Sequence, residues 1–289
     1  KVIQVGLGPI GLGVTREIAT RKNIRIVGAV DVDPTLTGKD LGVVAGLDAA
    51  TGVLICRSAD EVLDEAADVA LITTSSSAEA VARHSEPFLA NRMHVVTSCE
   101  ELAYPWRTKP KTAHAIDEMA RANGVSVLAT GVNPGFLMDF LPLASTAVMR
   151  RIDRVLIERI QDASKRRLPF QKKVGAGMTV DEFKRRVAEG VLRHVGLTES
   201  MHMITDGLGW TLDKFEETIA PVVAQAPYRS AELQVPVGGV LGVEQFGRGF
   251  AGGREVLTLH FRATVGETEA RDAWRVEGEP PIAIIIPGG

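Results

Sequence analysis

The first eleven residues restrict the folds open to this chain more than anything after them. A short apolar strand, Lys1 to Val5, runs into Gly6-Leu7-Gly8-Pro9-Ile10-Gly11, and a helix is predicted from Ile10 through Thr20. In a G-x-G-x-x-G turn the first glycine permits the sharp bend and the second lets backbone approach a pyrophosphate. The third lets the helix sit close to the strand, with its N-terminal N–H groups facing the phosphates. The motif alone is a weak signal. Here a second strand, Ile24 to Val30, follows and ends on Asp31, 20 residues past Gly11, where a carboxylate can accept both hydroxyls of an adenosine ribose. Together these features predict a dinucleotide site formed by Gly6, Gly8, Pro9, Ile10, Gly11 and Asp31. Because Asp31 would repel a 2′-phosphate, NAD(H) is favoured; Lys39 nearby keeps NADP(H) open as a second cofactor.

At 289 residues the chain suits two domains sharing one cleft, and its 45% hydrophobic and 24% charged residues are ordinary for a globular protein. A net charge of −3 argues for neither a nucleic-acid nor an anionic-membrane partner. No apolar run reaches the roughly 20 residues that span a bilayer. Two cysteines, Cys56 and Cys99, are too few for a disulfide framework and have no zinc-site spacing, so no metal is expected and a reduced, cytoplasmic protein is the default. There is no initiator Met and no signal-peptide pattern. The apolar run Ile282 to Ile286 reads as a buried strand that stops abruptly on Pro287-Gly288-Gly289, which predicts that the natural protein continues.

The first half alternates strand and helix signals. A loop rich in Pro, Thr and Gly covers 33–46, a short strand 53–56, and a helix with Ser58 as N-cap 58–66. Val69 to Thr73 and Met93 to Thr97 are continuously apolar, as parallel strands buried on both faces are. Helices run from the serine cluster to about Asn91 and from Lys111 to Asn123, and a last strand covers 125–129. This is an α/β pattern, an N-terminal Rossmann doubly wound parallel sheet over residues 1–135. After Asn133-Pro134-Gly135 a longer helix is expected over 136–149, then a strand over 152–161. Thr179-Val180-Asp181-Glu182 reads as a capping box, with Met178 and Phe183 as a hydrophobic staple. Phe183, Val187 and Val191 follow on one helix face that ends near His194. Residues 231–274 are strand-like, with Leu257, Leu259 and Phe261 inward and Thr258, His260 and Arg262 outward. Residues 136–289 are thus expected to form a C-terminal α+β domain with a largely antiparallel sheet, which binds substrate. Its alternating sheet face calls for a partner surface, and a homodimer joined through the 150–280 region is expected.

Ligands of open α/β sheets bind at the carboxyl ends of the strands. Three segments are therefore candidates: Thr74-Ser75-Ser76-Ser77, Ser98-Cys99-Glu100-Glu101 and Thr130 to Gly135. The serine run either touches the nicotinamide ribose or pyrophosphate or simply caps a helix. Glu100 and Glu101 directly follow a buried strand. One acid can complement a helix dipole while the other faces the cleft, where a carboxylate suits a substrate carrying an ammonium or iminium group. The phase of the turn decides which. With no Lys or His in that loop, carbonyl-to-alcohol chemistry is less well served. Asn133, held extended by Pro134, either reaches the cleft or closes an Asx-type turn. His194 is either a favourable cation at a helix C-terminus or a substrate contact. Lys165-Arg166-Arg167 reads as a solvated run, and Trp106, Trp210 and Trp274 as core or pocket walls.

The segments V-G-L-G-P-I-G, G-K-D-L-G (38–42), T-S-C-E-E-L-A-Y-P-W (97–106) and T-G-V-N-P-G-F (130–136) together resemble the dihydrodipicolinate-reductase-like dehydrogenases. Within these the chain is similar to the branch of native amine dehydrogenases and 2,4-diaminopentanoate dehydrogenase. The resemblance implies NAD(P)-linked interconversion of an amine with a small ketone or aldehyde and ammonia. It implies Glu100 as the catalytic carboxylate, with Glu101 as the alternative; the neighbouring Cys99 is a candidate cofactor contact. It also implies a substrate pocket lined by Arg159 and Gln161; Asn133, Phe136 and His194 are further candidates for that pocket. The His-His-rich substrate loop of dihydrodipicolinate reductase itself is missing. Three rival classes stay open: a diamino-acid dehydrogenase, for which Arg159 would bind a carboxylate; a plain ketone reductase; and a non-catalytic dinucleotide sensor, which would have no use for Glu100.

Overall fold

The computed structural model describes residues 1–288 and divides into two compact units, Lys1–Gly135 and Phe136–Gly289. The first is a parallel sheet of β1 (Val2–Val5), β2 (Ile26–Val30), β3 (Ile55–Cys56), β4 (Val69–Ile72), β5 (His94–Thr97) and β6 (Val127–Ala129). The strand order is β3-β2-β1-β4-β5-β6, the Rossmann arrangement, with neighbours parallel. Its helices are α1 (Pro9–Ala19), α2 (Leu41–Ala45), α3 (Ala78–Ala90), α4 (Pro105–Thr108) and α5 (Pro110–Asn123). The strands supply Ile3, Val5, Ala70, Ile72 and Val95 to the core, and α3 supplies Val81, Phe88 and Leu89. Such strands read as apolar runs because a parallel sheet is covered on both faces.

Two local expectations are corrected here. The loop over 33–46 contains α2, because the Asp40 carboxylate accepts from the N–H groups of Gly42 and Val43 and so starts a helix. The helix expected over 58–66 shrinks to a single 3-10 turn, Ala59–Glu61. Its capping box forms, with Glu61 accepting from the N–H groups of Arg57 and Ser58, and the chain then leaves helical geometry at Val62.

The second unit contains α6 (Phe140–Ser145), β7 (Arg151–Asp162), α7 (Leu168–Lys173), α8 (Val180–Ala188) and α9 (Leu197–Gly207). Then come β8 (Lys214–Val223), β9 (Tyr228–Arg229), β10 (Gln234–Val235), β11 (Val240–Ala251), β12 (Arg254–Thr264), β13 (Arg271–Glu279) and β14 (Ile282–Pro287). Six of these strands form a sheet in the order β14-β13-β7-β12-β11-β8, antiparallel except for β7 beside β12. The inward residues Ile157, Leu257, Leu259, Phe261 and Trp274 pack with Phe183, Leu197 and Met201 from the helices. The alternation along β12 holds, although Thr258 is also buried.

The long helix expected over 136–149 is also corrected. Residues 136–139 turn, Asp139 Oδ1 accepts from the Phe140 N–H, and α6 starts only there. Half of the second capping box is present: Thr179 Oγ1 accepts from the Glu182 N–H at 3.2 Å, while the Glu182 carboxylate pairs with Arg186 at 3.0 Å. Helix α8 stops at Ala188, ahead of Gly190 at φ +71°, so Val191 is exposed and His194 lies beyond the helix. Strand β14 is a sheet edge, and its isoleucines at 284–286 are exposed, contrary to the buried strand expected.

Candidate functional site

Every loop weighed from the sequence in the first unit leaves the carboxyl end of a parallel strand, so all open at one edge of the sheet. After β1, Gly6 takes φ +88°, and a Cβ there would stand 2.9 Å from Thr74 Cγ2. A Cβ on Gly11 would stand 1.9 Å from the Gly6 carbonyl oxygen, so only glycine lets α1 sit this close. A Cβ on Gly8, the residue that caps α1, would meet nothing within 4 Å. Pro9 opens the helix and has no N–H, and Leu12 N–H already bonds Gly8. The N–H groups of Ile10 and Gly11 are left pointing out of the helix start, where an anion is favoured.

Beside this turn lies a cavity of about 540 Å³, lined from β1 by Gly6 and Gly8 and from β2 by Asp31 and Val32. Arg57 and Ser58 after β3, Thr73 and Thr74 after β4, and Arg83, His84 and Phe88 of α3 complete the wall. Asp31 Oδ2 accepts from the Leu7 N–H at 2.6 Å and Oδ1 from the Asp33 N–H at 2.8 Å, which orients the carboxylate at the rim. Each oxygen retains a lone pair for a ribose hydroxyl. The open space at Gly8, the unspent N–H groups and the oriented acid fit a dinucleotide. Lys39 is exposed and does not line this cavity. Arg57, Arg83 and His84 do, and the sequence reading passed over them. Arg57 was findable as the residue after a predicted strand, whereas the α3 residues depend on how that helix packs.

The serine run is mainly a cap. Ser77 Oγ accepts from the Ala80 N–H, and Ser75 Oγ accepts from the Ser77 N–H. Thr74 Oγ1 lies 2.8 Å from His84 Nδ1, and burial, aided by the Arg83 charge, lowers the pKa of that imidazole. Ser76 donates to Glu100 Oε2 at 2.5 Å. The two glutamates, on one 3-10 turn, are held differently. Glu101 Oε2 accepts from the Ala78 N–H at 2.9 Å at the start of α3 and lies 3.6 Å from Lys109 Nζ. Glu101 therefore supports the scaffold, while Glu100 meets a rotatable hydroxyl at the open strand ends. The Cys99 side chain is 1% exposed and donates to the Ser76 carbonyl; burial pushes the thiol up to about 11. Any cofactor contact by Cys99 would have to come from its backbone.

After β6, Gly135 at φ +112° closes a tight turn in which Thr130 Oγ1 donates to the Gly135 carbonyl. Asn133 Oδ1 is buried within this turn. In the second unit Phe136 is 43% exposed and stacks against Phe140. Arg159 and Gln161 are brought together, both buried on the inner face of β7. Arg159 Nη1 donates to Asp272 Oδ1 at 2.7 Å. With its amide turned as its neighbours require, Gln161 accepts from Arg159 Nε at 3.2 Å and Nη2 at 2.6 Å. His194 stacks on Phe261 with ring centroids 4.3 Å apart. Burial, with Lys173 and Arg159 nearby, pushes its pKa down to about 3, so it is neutral rather than the helix-end cation considered above. Trp274 is buried and donates to Ser145, while Trp106 is 44% exposed. Among the described residues no group of three or more His, Cys, Asp or Glu side chains could hold a metal ion, and no helix is long and apolar enough to cross a membrane.

Residues 1–100 match the family model of the dihydrodipicolinate reductase N-terminus, and residues 136–289 match that of the 2,4-diaminopentanoate dehydrogenase C-terminal domain. The chain is 33% identical to 2,4-diaminopentanoate dehydrogenase of Acetoanaerobium sticklandii over 305 aligned positions, covering 100% of this chain and 85% of that one. Its fold is similar to that of an amine dehydrogenase from Mycobacterium smegmatis, with a TM-score of 0.83 at 23% identity over 100% of this chain and 86% of the other. It is more distantly similar to the WlbA dehydrogenase of Bordetella pertussis, solved with NADH and UDP-GlcNAcA, with a TM-score of 0.60 at 14% identity over 99% and 73% of the two chains. With a nucleotide-binding half and a C-terminal half that each match, the chain belongs to the 2,4-diaminopentanoate dehydrogenase family of the dihydrodipicolinate-reductase-like dehydrogenases.

Proposed function

We propose that this NAD(P)-dependent amine dehydrogenase carries out reductive amination of a small ketone or aldehyde with ammonia, and the reverse oxidative deamination, with Glu100 as its catalytic carboxylate. The observation that carries the assignment is the unequal engagement of two adjacent acids. Glu101 is tied to a backbone N–H and to Lys109, whereas Glu100 is bonded by the Ser76 hydroxyl beside the dinucleotide loops. Bound at Gly6, Gly8, Ile10, Gly11 and Asp31, the nicotinamide dinucleotide supplies or accepts the hydride.

Glu100 holds ammonia by a charge-assisted hydrogen bond while the carbonyl is attacked. The carboxylate takes a proton from incoming ammonium, freeing ammonia to attack. That proton then goes to the hydroxyl that leaves the hemiaminal as water, which regenerates the carboxylate and yields the iminium that accepts hydride. Ser76 keeps the carboxylate aimed throughout. The state of Arg159 supports one substrate class over the other. A guanidinium already matched by Asp272 and Gln161 is a poor receptor for a further carboxylate, which favours a simple amine over a diamino acid. Asp31 favours NAD(H) over NADP(H), and Asp31→Ala should erode that preference. A reduced, cytoplasmic, homodimeric enzyme completes the proposal. On the outer sheet face, His260 lies 3.0 Å from Glu244 and stacks on Phe246, which is in turn covered by Arg248. Interspersed charges of both signs around aromatic rings can match a second copy of themselves across a two-fold axis. A monomer by light scattering would count against the dimer.

The central test is NADH consumption with a small aldehyde or ketone, with and without ammonium salt. Oxidation of NADH should depend on ammonium and be lost in Glu100→Gln while NADH binding survives. Equal turnover without ammonium would make the protein an alcohol dehydrogenase, and unchanged activity in Glu100→Gln would pass the role to Glu101.

A further inference from the structure

The geometry points to Arg57 as the residue that accepts the 2′-phosphate of NADP(H), so that one cavity serves both cofactors, each with its own anchor. The inference rests on the dinucleotide reading of the cavity but not on the amine chemistry. Strands β2 and β3 are parallel neighbours, and the Asp31 N–H donates to the Cys56 carbonyl at 3.0 Å. Arg57 therefore leaves the sheet directly beside Asp31, and both line the same cavity with Ser58.

The pyrophosphate belongs at Gly8 over β1, so the adenosine ribose must lie toward β2, where Asp31 waits. The next strand beyond that ribose is β3, and the cation at its end is Arg57. The other cation of the cavity, Arg83, stands on α3, which follows β4 on the opposite side of β1. The Arg57 backbone N–H is committed to Glu61, which fixes where the side chain starts. The side chain itself is exposed at the rim, where its charge also acts on the Glu61 carboxylate. Asp31, oriented by the Leu7 and Asp33 N–H groups, still disfavours a dianion and so keeps NAD(H) preferred, and a guanidinium next to it offsets part of that repulsion. Lys39, the sequence's candidate for this role, does not line the cavity.

Titration calorimetry of the full chain with 2′,5′-ADP and 5′-AMP isolates the 2′-phosphate and involves no amine, carbonyl or hydride. Wild-type protein should bind both. Arg57→Ala should lower the affinity ratio of 2′,5′-ADP to 5′-AMP about tenfold, the order expected of one charge-assisted hydrogen bond at an exposed site. Arg57→Lys should restore part of that ratio. Arg57 is exposed, so its truncation should cost the fold little. Raising the salt concentration should weaken 2′,5′-ADP more than 5′-AMP in the wild type and no longer do so in Arg57→Ala. An unchanged ratio in Arg57→Ala, or a collapse in Arg83→Ala instead, would overturn the assignment. Failure of both nucleotides to bind would overturn it together with the dinucleotide site, whereas loss of the amine reaction alone would leave it standing.

Discussion

Asp272→Ala should destabilise the second unit sharply, because it would strand a buried guanidinium. Arg159 and Asp272 have side chains only 6% and 5% exposed and meet at 2.7 Å across β7 and β13. Burial pushes the Asp272 carboxyl up and the Arg159 guanidinium down, and their mutual attraction offsets part of each shift. Removing one partner of such a pair costs about 3 to 5 kcal/mol. In a unit of about 150 residues each kcal/mol moves the melting temperature by about 2 to 4 °C, so a fall of about 6 to 20 °C is expected. Scanning calorimetry of the full chain measures it. The double variant Arg159→Met/Asp272→Leu removes both charges and should recover all but about 2 kcal/mol, the remainder being the Gln161 amide left without its donors. A loss below about 2 °C in Asp272→Ala, or a double variant worse than the single one, would refute the claim that the pair is closed. It would then also free Arg159 to bind a substrate carboxylate.

Three other outcomes follow from the same structure. Glu100→Gln should lower kcat by about 10²- to 10⁴-fold, whereas Glu101→Gln should act mainly on stability, by about 1 kcal/mol through the Ala78 cap; steady-state rates and urea midpoints separate the two. Gly11→Ala should abolish NADH binding by fluorescence titration, because its Cβ would stand 1.9 Å from the Gly6 carbonyl oxygen and push α1 off the strand. His194 binds its proton near pH 3 in the folded chain and near 6.5 unfolded, so the unfolded state gains the proton first as pH falls. Stability should be level above about pH 7 and decline as pH falls below 6.5, and in His194→Asn the decline should be shallower.

The Rossmann half was legible because its signals are local. A buried parallel strand is an apolar run wherever it occurs, and the glycines of the first turn answer to clashes within a few residues of themselves. The family resemblance supplied the motifs at 97–106 and 130–136 and the matching of Glu100. The sequence could show neither that Glu101 caps α3 nor that Ser76 reaches Glu100, since both depend on how two loops lie side by side. Arg159 was visible as a residue of β7, but its partner is 113 positions away on β13. The same limit explains the mistaken strand. Apolar content predicted that 282–286 would form β14, yet whether a strand lies at the centre or the edge of a sheet is fixed by pairing alone. The helix over 136–149 and the one over 58–66 failed for a nearer reason: Asp139 and Glu61 spend their carboxylates on backbone N–H groups and reset where helical geometry begins and stops.

The thiol beside the Glu100–Glu101 turn has a practical meaning. Reductive amination is pulled forward in alkaline solution, where free ammonia outweighs ammonium, and those are conditions in which ordinary protein thiols ionise, oxidise and alkylate. Cys99 sits one residue from Glu100 yet is sealed beneath the Ser76 carbonyl, with its ionisation displaced to about 11. Prolonged turnover in concentrated ammonia with reactive aldehydes should therefore spare this position, and inactivation under those conditions should begin elsewhere, at surface lysines or at Cys56, which is partly exposed although burial and Glu61 raise its thiol too.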